Sequence, residues 1–192
     1  GRSFNCCTVD GDMSTSDTVI ALANGAAMGG IDEVTALSPQ ALDTLAQAME
    51  QVCRKMARIM AADGEGATKL ITIRVGGGRS EAEARQVGLS VANSSLVKTA
   101  AFGNDPNWGR ILMAVGNAGV ELDQDKVAVS LCGTPIYGQG TGIPFDEEVV
   151  SEAMKAEEID IGVDLQSGTA DIEIFTCDLT YDYVRLNAEY TT

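Results

Sequence analysis

The stretch Asp63-Gly-Glu65-Gly-Ala-Thr68-Lys69 sets one carboxylate between two glycines, where an apolar helical stripe gives way to an alternating segment. Glycine on either side lets the backbone approach a ligand and keeps Glu65 out of a core. A carboxylate so placed can bind an amine or move a proton; the plainer reading is a helix C-cap with a solvated acid. A second dense stretch, Leu96 to Arg110, holds the single tryptophan, Trp108, with Lys98 and Arg110 nearby and Asp105-Pro106 as a cap-then-proline signal. A helix start there can receive a carboxylate anion. The competing reading is a buried Trp108 anchoring the helix start while Asp105 and Arg110 pair locally. Asp10-Gly-Asp12-Met-Ser14-Thr-Ser16-Asp17 opens like a calcium loop, but Thr15 stands where glycine is needed and no glutamate closes it. A turn with side-chain-to-backbone bonds is expected instead. Gly76-Gly-Gly78 and Gly138-Gln-Gly140-Thr-Gly142 complete no phosphate-binding pattern and read as turns.

The chain contains no histidine. Ser-His-Asp and Cys-His catalysis and His-ligated zinc cannot be built from it alone, so proton transfer falls to carboxylate, Lys, Tyr, Cys, Thr or an amino terminus. Cysteines 6, 7, 53, 132 and 177 are odd in number and include no CxxC. They form neither a disulfide framework nor a metal site, and reduced thiols are expected. Cys6-Cys7, flanked by Phe4 and Val9, reads as filling in a buried strand, and Cys53 as core. With 13 Lys+Arg against 28 Asp+Glu, the net charge of −15 argues against nucleic acid and against an anionic membrane surface. No apolar run approaches the roughly 20 residues that span a bilayer, and no signal peptide is visible. Gly1-Arg2-Ser3 without a methionine reads as a processed product or a piece of something longer.

The elements that must position these groups can be read from capping and periodicity. Asp17 caps a short helix ending near Gly25. Ser38-Pro39 opens a stronger helix whose Leu42, Leu45, Met49, Val52, Met56 and Met60 form one apolar stripe, with Gly64 at its end. Lys69 to Val75 is a strand with Ile71, Ile73 and Val75 on one face, broken by the triple glycine. Ser80-Glu-Ala-Glu83 is a capping box, Trp108 to Ala118 a helix closed by Gly119, and Lys126 to Cys132 a strand. The glycine-rich stretch 133–142 reads as a flexible loop. Asp146 caps a helix to about Ala156, Asp160–Leu165 and Ala170–Cys177 pair as a hairpin around Gln166–Gly168, and Tyr183 to Ala188 is a last strand. The class is α+β with antiparallel or mixed sheets. An apolar content of 45% over 192 residues fills one large domain or two small ones.

Ser3-Phe-Asn5 with Thr8-Val-Asp10-Gly-Asp12-x-Ser14-Thr15, Asp63–Lys69, Leu96-Val-Lys-Thr-Ala100, Asp105-Pro-Asn-Trp-Gly-Arg110 and Tyr183-Val-Arg-Leu-Asn187-Ala-Glu-Tyr-Thr-Thr192 are similar, in the same order, to blocks of a known family. It is the β chain of ornithine acetyltransferase, also called glutamate N-acetyltransferase, the ArgJ family of arginine biosynthesis. The resemblance covers essentially the whole chain. It implies an αββα-type layered sandwich of the DmpA/ArgJ-like kind, with residues 1–78 part of the central sandwich shared with an α chain and 79–192 a smaller C-terminal α+β domain. It also implies a precursor that cleaves itself. The new amino-terminal Thr of the β chain then acts as nucleophile, with its own amine as base.

By the resemblance, acetyl passes from N-acetylornithine to that Thr and then to glutamate, with oxyanion donors largely from the α chain. The nucleophile block, of Ala-Thr-Met-Leu type, is absent. The nucleophilic Thr is therefore expected upstream of Gly1, no catalytic residue is expected in this chain, and Thr8, Thr15 and Thr18 are not substitutes. The positions matching substrate-binding residues are Glu65, Asn187 and Thr192: a carboxylate for the α-ammonium of ornithine or glutamate, an amide and a hydroxyl for its carboxylate. No cofactor and no metal are implied. The implied partner is the α chain of the same precursor in an α2β2 heterotetramer, in the cytoplasm or, in a fungus, the mitochondrial matrix. Cys6-Cys7 replace a polar or aliphatic pair of the family, and Asn104 stands where a small or acidic residue is expected. Two other classes remain open: a non-catalytic domain binding an amino acid or partner chain, and an N-terminal-nucleophile amidase or peptidase. The Asn187–Thr192 block favours the acetyltransferase over the hydrolase.

Overall fold

Ile71, Ile73 and Val75 alternate with Thr72 and Arg74, and a strand with that period turns one row of side chains inward and the other outward. The structure, a computed structural model, describes residues 1–25 and 38–189. In it the alternation becomes β1 (Leu70–Gly78) of a six-stranded sheet ordered β4-β3-β2-β5-β1-β6. The partners are β2 (Ala128–Leu131), β3 (Thr134–Gly138), β4 (Thr141–Gly142), β5 (Glu158–Asp164) and β6 (Ala170–Cys177). β1 runs parallel to β5 and antiparallel to β6, with Ile73 opposite Ile161 and Ile174.

The inward row lies under α2 (Glu81–Ala92), α3 (Ser95–Gly103), α4 (Trp108–Gly116) and α5 (Glu147–Ala153). Their Val87, Val97, Ile111 and Val150 join Ile71, Ile73, Val75 and Ile174 in one buried cluster. Each such side chain contributes about 1.5–3 kcal/mol by leaving water. Gly88 permits the closest approach, since a Cβ there would lie 2.5 Å from Ile174.

The outward row carries Thr72, Arg74, Asp160 and Glu173. α1 (Pro39–Ala62) lies across its β1–β6 end, with Ala57 and Ala61 against Leu70 and Phe175. Arg54 pairs with Glu173 and Arg58 with Glu158, while Arg74 reaches Asp160 and Glu173 at 3.3 Å. Ser38 and Ser80 cap as expected, accepting from the amides of Ala41 and Glu83 at 3.2 Å. Among the described residues no helix is long and apolar enough to cross a membrane.

Several expectations are corrected. Residues 18–25 form no helix and are exposed; so short a helix is marginal without a surface to pack on. Cys6 is buried, but in a 3-10 turn (Phe4–Cys6), with only Cys7 bridging Phe175. The apolar stripe of α1 does not face the core: Leu42, Met49 and Val52 are about half exposed, and Cys53 is half-buried.

The triple glycine does not break β1 but prolongs it with a register shift. The oxygens of Gly76 and Gly77 accept the amides of Leu165 and Ser167 at 2.9 and 2.7 Å. That crossing segment separates the two strands expected as a hairpin, and β1 lies between them. The stretch 133–142 is not a loop but two tight hairpins. Cys132-Gly133 and Gln139-Gly140 hold positive φ at their corners (49° and 77°, 52° and 73°), the type I′ geometry that matches strand twist. The expected last strand is α6 (Tyr181–Glu189). Thr180 starts it, its hydroxyl accepting the amides of Asp182 and Tyr183 at 3.1 and 3.2 Å. A division at residue 78 would cut β1 from both of its hydrogen-bonded neighbours, β5 and β6.

Candidate functional site

The Glu65 loop owes its path to what crowds it. Asp63 ends α1, its amide donating to Ile59 at 2.9 Å, and the chain then turns through Gly66 at φ +68°. A Cβ at Gly66 would stand 2.5 Å from the Tyr183 nitrogen, and one at Gly64 would stand 2.8 Å from the Cys177 sulfur. Both glycines are therefore needed for close approach, one to the start of α6 and one to the end of β6. Thr180 Oγ1 donates to the Gly66 carbonyl at 2.6 Å, tying the loop to α6. The buried Asp178 accepts from the Thr68 amide at 2.8 Å, the Thr68 hydroxyl at 2.5 Å and the Lys69 amide at 3.0 Å. Glu65 is left exposed at the tip.

Two buried lysines brace the surroundings. Lys98 donates to the Val9 carbonyl, to Thr176 Oγ1 at 3.3 Å and to Cys177 Sγ at 3.8 Å, which fixes the segment leading to Asp10. Asp10 Oδ2 in turn accepts the Tyr183 hydroxyl at 2.8 Å. That hydrogen bond, with burial and the nearby charges of Asp10, Asp12 and Glu65, pushes the Tyr183 phenol up to about 12. Asn187, one turn further along α6, donates from Nδ2 to the Tyr183 carbonyl at 2.9 Å. The structure thus gathers Glu65, Asp10 and Asp12 around Tyr183 at the start of α6, while Asn187 lies toward the other end of that helix and touches none of the three acids. Thr192 lies outside the described residues.

Lys69 points elsewhere. Its ammonium donates to the Ala101 carbonyl at 2.7 Å and Asn104 Oδ1 at 2.5 Å, and burial lowers its pKa. Asn104 holds φ 55° at the end of α3, a left-handed conformation asparagine tolerates better than most residues. This accounts for an asparagine there. The Asp105–Arg110 block is distinct from the Glu65 loop. Asn107, rather than Asp105, caps α4 by accepting the Arg110 amide at 3.2 Å. Trp108 is not buried but 36% exposed, stacked on Tyr137 at 5.4 Å. Arg110 reaches Leu96 O and Thr99 Oγ1 at 3.0 and 3.3 Å instead of pairing with Asp105.

The Asp10–Asp17 segment is the expected turn: the Asp12 amide donates to Asp10 Oδ1 at 2.9 Å, and the Ser16 and Asp17 amides to Ser14 Oγ. Among the described residues no cluster of three or more His, Cys, Asp or Glu side chains could hold a metal. Burial pushes the thiols of Cys6, Cys132 and Cys177 up, and that of Cys7 to about 11, so these four are poor nucleophiles. A groove of about 760 Å³ opens on the polar face of the sheet, between Arg74, Ser130, Tyr137 and Asp164. Glu65 and Asn187 are not among its walls.

The model of the ArgJ family matches residues 1–192. The chain belongs to the ArgJ family. It is 48% identical over 191 residues to the arginine biosynthesis bifunctional protein ArgJ of Thermus thermophilus, covering 100% of this chain and 47% of the relative. To the ArgJ protein of Bradyrhizobium diazoefficiens it is 47% identical over 190 residues, covering 98% and 46%. The crystal structure of ArgJ from Bacillus halodurans superposes with a TM-score of 0.90 at 39% identity, over 98% of this chain and 88% of that one. The α+β fold is therefore that of an ArgJ protein. The chain spans about half the length of the curated relatives it matches. The Asp10–Tyr183 contact, Asp178 and Thr180 escaped the sequence reading. Asp10 and Tyr183 sit inside family-like blocks, but nothing in either block says that they touch.

Proposed function

We propose that this chain is the β-chain portion of a glutamate N-acetyltransferase and supplies part of the pocket in which acetyl moves from N-acetylornithine to glutamate. The observation that supports the reading is the junction of the Asp63–Lys69 loop with the start of α6, where Thr180 holds the Gly66 carbonyl and Tyr183 holds Asp10; Asn187 lies further along the same helix. Family membership over the whole chain supports it, as do the absence of histidine and the raised cysteine pKa values.

The nucleophile is a threonine outside this chain. Its hydroxyl attacks the acetyl carbonyl, the C–N bond breaks, and ornithine leaves with the proton. Glutamate's amine then attacks the threonyl ester, releasing N-acetylglutamate and restoring the hydroxyl. Glu65 holds the α-ammonium that appears on ornithine as the acetyl leaves and that glutamate brings in. Asn187, with Thr192, meets the substrate carboxylate. No cofactor enters the cycle.

The other half of the precursor forms the α chain and completes the site, two such pairs assembling into an α2β2 heterotetramer in the cytoplasm. The solved B. halodurans chain, matched over 88% of its length, is of comparable extent to this one while the curated relatives are twice as long, which is the proportion a two-chain enzyme gives. The test is acetyl transfer from N-acetylornithine to glutamate by the protein made from its full-length gene. Turnover with a covalent acetyl-threonine is expected. An enzyme that transfers nothing between these substrates overturns the reading.

A further inference from the structure

α6 has nine residues and buries none of them, and a helix that short is marginal without a surface to pack on. The contacts that tie it down lie at its start. Tyr181 stands edge-on to Phe102 with ring centroids 5.7 Å apart, and Thr180 Oγ1 donates to the Gly66 carbonyl at 2.6 Å. Each polar group of Tyr183 is also engaged. Its hydroxyl donates to Asp10 Oδ2 at 2.8 Å, its amide donates to Thr180 Oγ1 at 3.2 Å, and its carbonyl accepts Asn187 Nδ2 at 2.9 Å. The residue after Glu65 rests on the same point, since a Cβ at Gly66 would stand 2.5 Å from the Tyr183 nitrogen.

The Asp10 end of this bond is fixed as well. Asp10 Oδ1 accepts the Asp12 amide at 2.9 Å, so both carboxylate oxygens already have partners within the chain. The buried Lys98 holds the preceding Val9 carbonyl, and the Thr8 hydroxyl donates to Asn93 Oδ1 at 2.8 Å. The Tyr183 hydroxyl is therefore a strut between a braced segment and a helix start that lacks apolar packing of its own. A hydrogen bond to a charged acceptor is among the stronger kinds.

We propose that Tyr183, through its hydroxyl on Asp10, is a positioning residue for substrate binding: it sets the Glu65 loop through Thr180 and Gly66, and it orients the Asn187 amide through its carbonyl. This rests on the acetyltransferase reading above. The Tyr183 carbonyl takes one of the two Nδ2 hydrogens of Asn187 and leaves the other for a substrate carboxylate. Asp10 acts on Tyr183 and not on the substrate ammonium. Loss of the strut loosens the loop that presents Glu65, so it weakens binding of glutamate and leaves the chemical step intact.

The test uses the complete protein from its full-length gene. Tyr183→Phe and Asp10→Ala each raise KM for glutamate about tenfold while kcat stays within about twofold of wild type. The double variant is no worse than either single one, because both remove the same bond. Asp10→Asn keeps an acceptor for the phenol and recovers most of the loss. Amide exchange gives a readout independent of turnover: the Ala67 amide, bonded to the Gly64 carbonyl at 2.9 Å, exchanges about tenfold faster in Tyr183→Phe. A fall in kcat with KM unmoved means fewer folded molecules and overturns the positioning role. So does a loss in Asp10→Ala and Asp10→Asn alike with Tyr183→Phe unaffected, since Asp10 would then meet the substrate itself. A wild-type enzyme that transfers no acetyl sinks the acetyltransferase reading instead. The exchange result then decides alone: faster exchange keeps Tyr183 as the residue that sets the loop, and unchanged exchange overturns it.

Discussion

Ile71, Ile73 and Ile174 on the inner face of the sheet are 0% exposed, whereas Leu42, Met49 and Val52 on α1 are 52%, 48% and 59% exposed. Both sets are large, apolar and strictly periodic. The first is closed by α2 to α5 within the chain. Among the described residues, Ala57, Ala61 and a few ion pairs join the second's helix to the sheet. Periodicity therefore says that a face will be covered, not what covers it. The candidate site lies on the less complete side, where the Glu65 loop and α6 meet and where α6 buries none of its own residues.

The sharpest way to break this contrast is to truncate one residue from each region. Ile174→Ala should cost about 2–5 kcal/mol of unfolding free energy through the cavity it leaves. Leu45→Ala should cost this chain no more than about 0.5 kcal/mol. Urea midpoints measure both, and equal losses would show that α1 is already packed. Next in size is Asp178→Ala, which strands the Thr68 and Lys69 donors; about 2–4 kcal/mol is expected, with faster amide exchange through the Glu65 loop. Unchanged exchange there would mean that Asp178 does not hold the loop.

Two smaller effects concern pH. The Tyr183 phenol, raised to about 12 from its ordinary value near 10, stabilises the fold fully below pH 10 and less as pH rises toward 12, because the unfolded chain gives up this proton first. Ultraviolet difference titration should find one late tyrosine that is absent in Tyr183→Phe and returns to the ordinary range in Asp10→Asn. A late tyrosine surviving both changes would place the contact elsewhere. Lys69 has the opposite slope. Burial lowers its pKa, so the penalty is fully present below the folded value. It is relieved as pH rises through that value toward about 10.4, where the unfolded chain binds more protons. Lys69→Met should flatten this alkaline rise in stability.

Local chemistry made part of the fold legible. Ser38-Pro39, Ser80 and Asp146 cap the helices they announce, and the Ile71–Val75 alternation gives the inward face of β1. Elements decided by non-local contact were not legible. The two strands expected as a hairpin are parted by β1, since their order depends on which edge each finds and not on the Gln166–Gly168 turn. The stretch 183–188 alternates like a strand, yet no sheet edge takes it up, and Thr180 caps it as a helix. In the site, Glu65 and Asn187 carried a signal through their family-like blocks. The bond of Tyr183 to Asp10 spans 173 residues, a separation over which neither periodicity nor capping speaks.

Glu65 stands or falls by its kinetics in the complete enzyme. Glu65→Gln keeps the shape of the side chain and removes its charge. It should lower kcat/KM for glutamate about tenfold or more, a loss of at least about 1.4 kcal/mol of transition-state stabilisation. The fold and the association of the two halves should be unchanged. Wild-type kinetics for that variant, in an enzyme that otherwise transfers acetyl, would contradict the assignment of this edge as the substrate pocket.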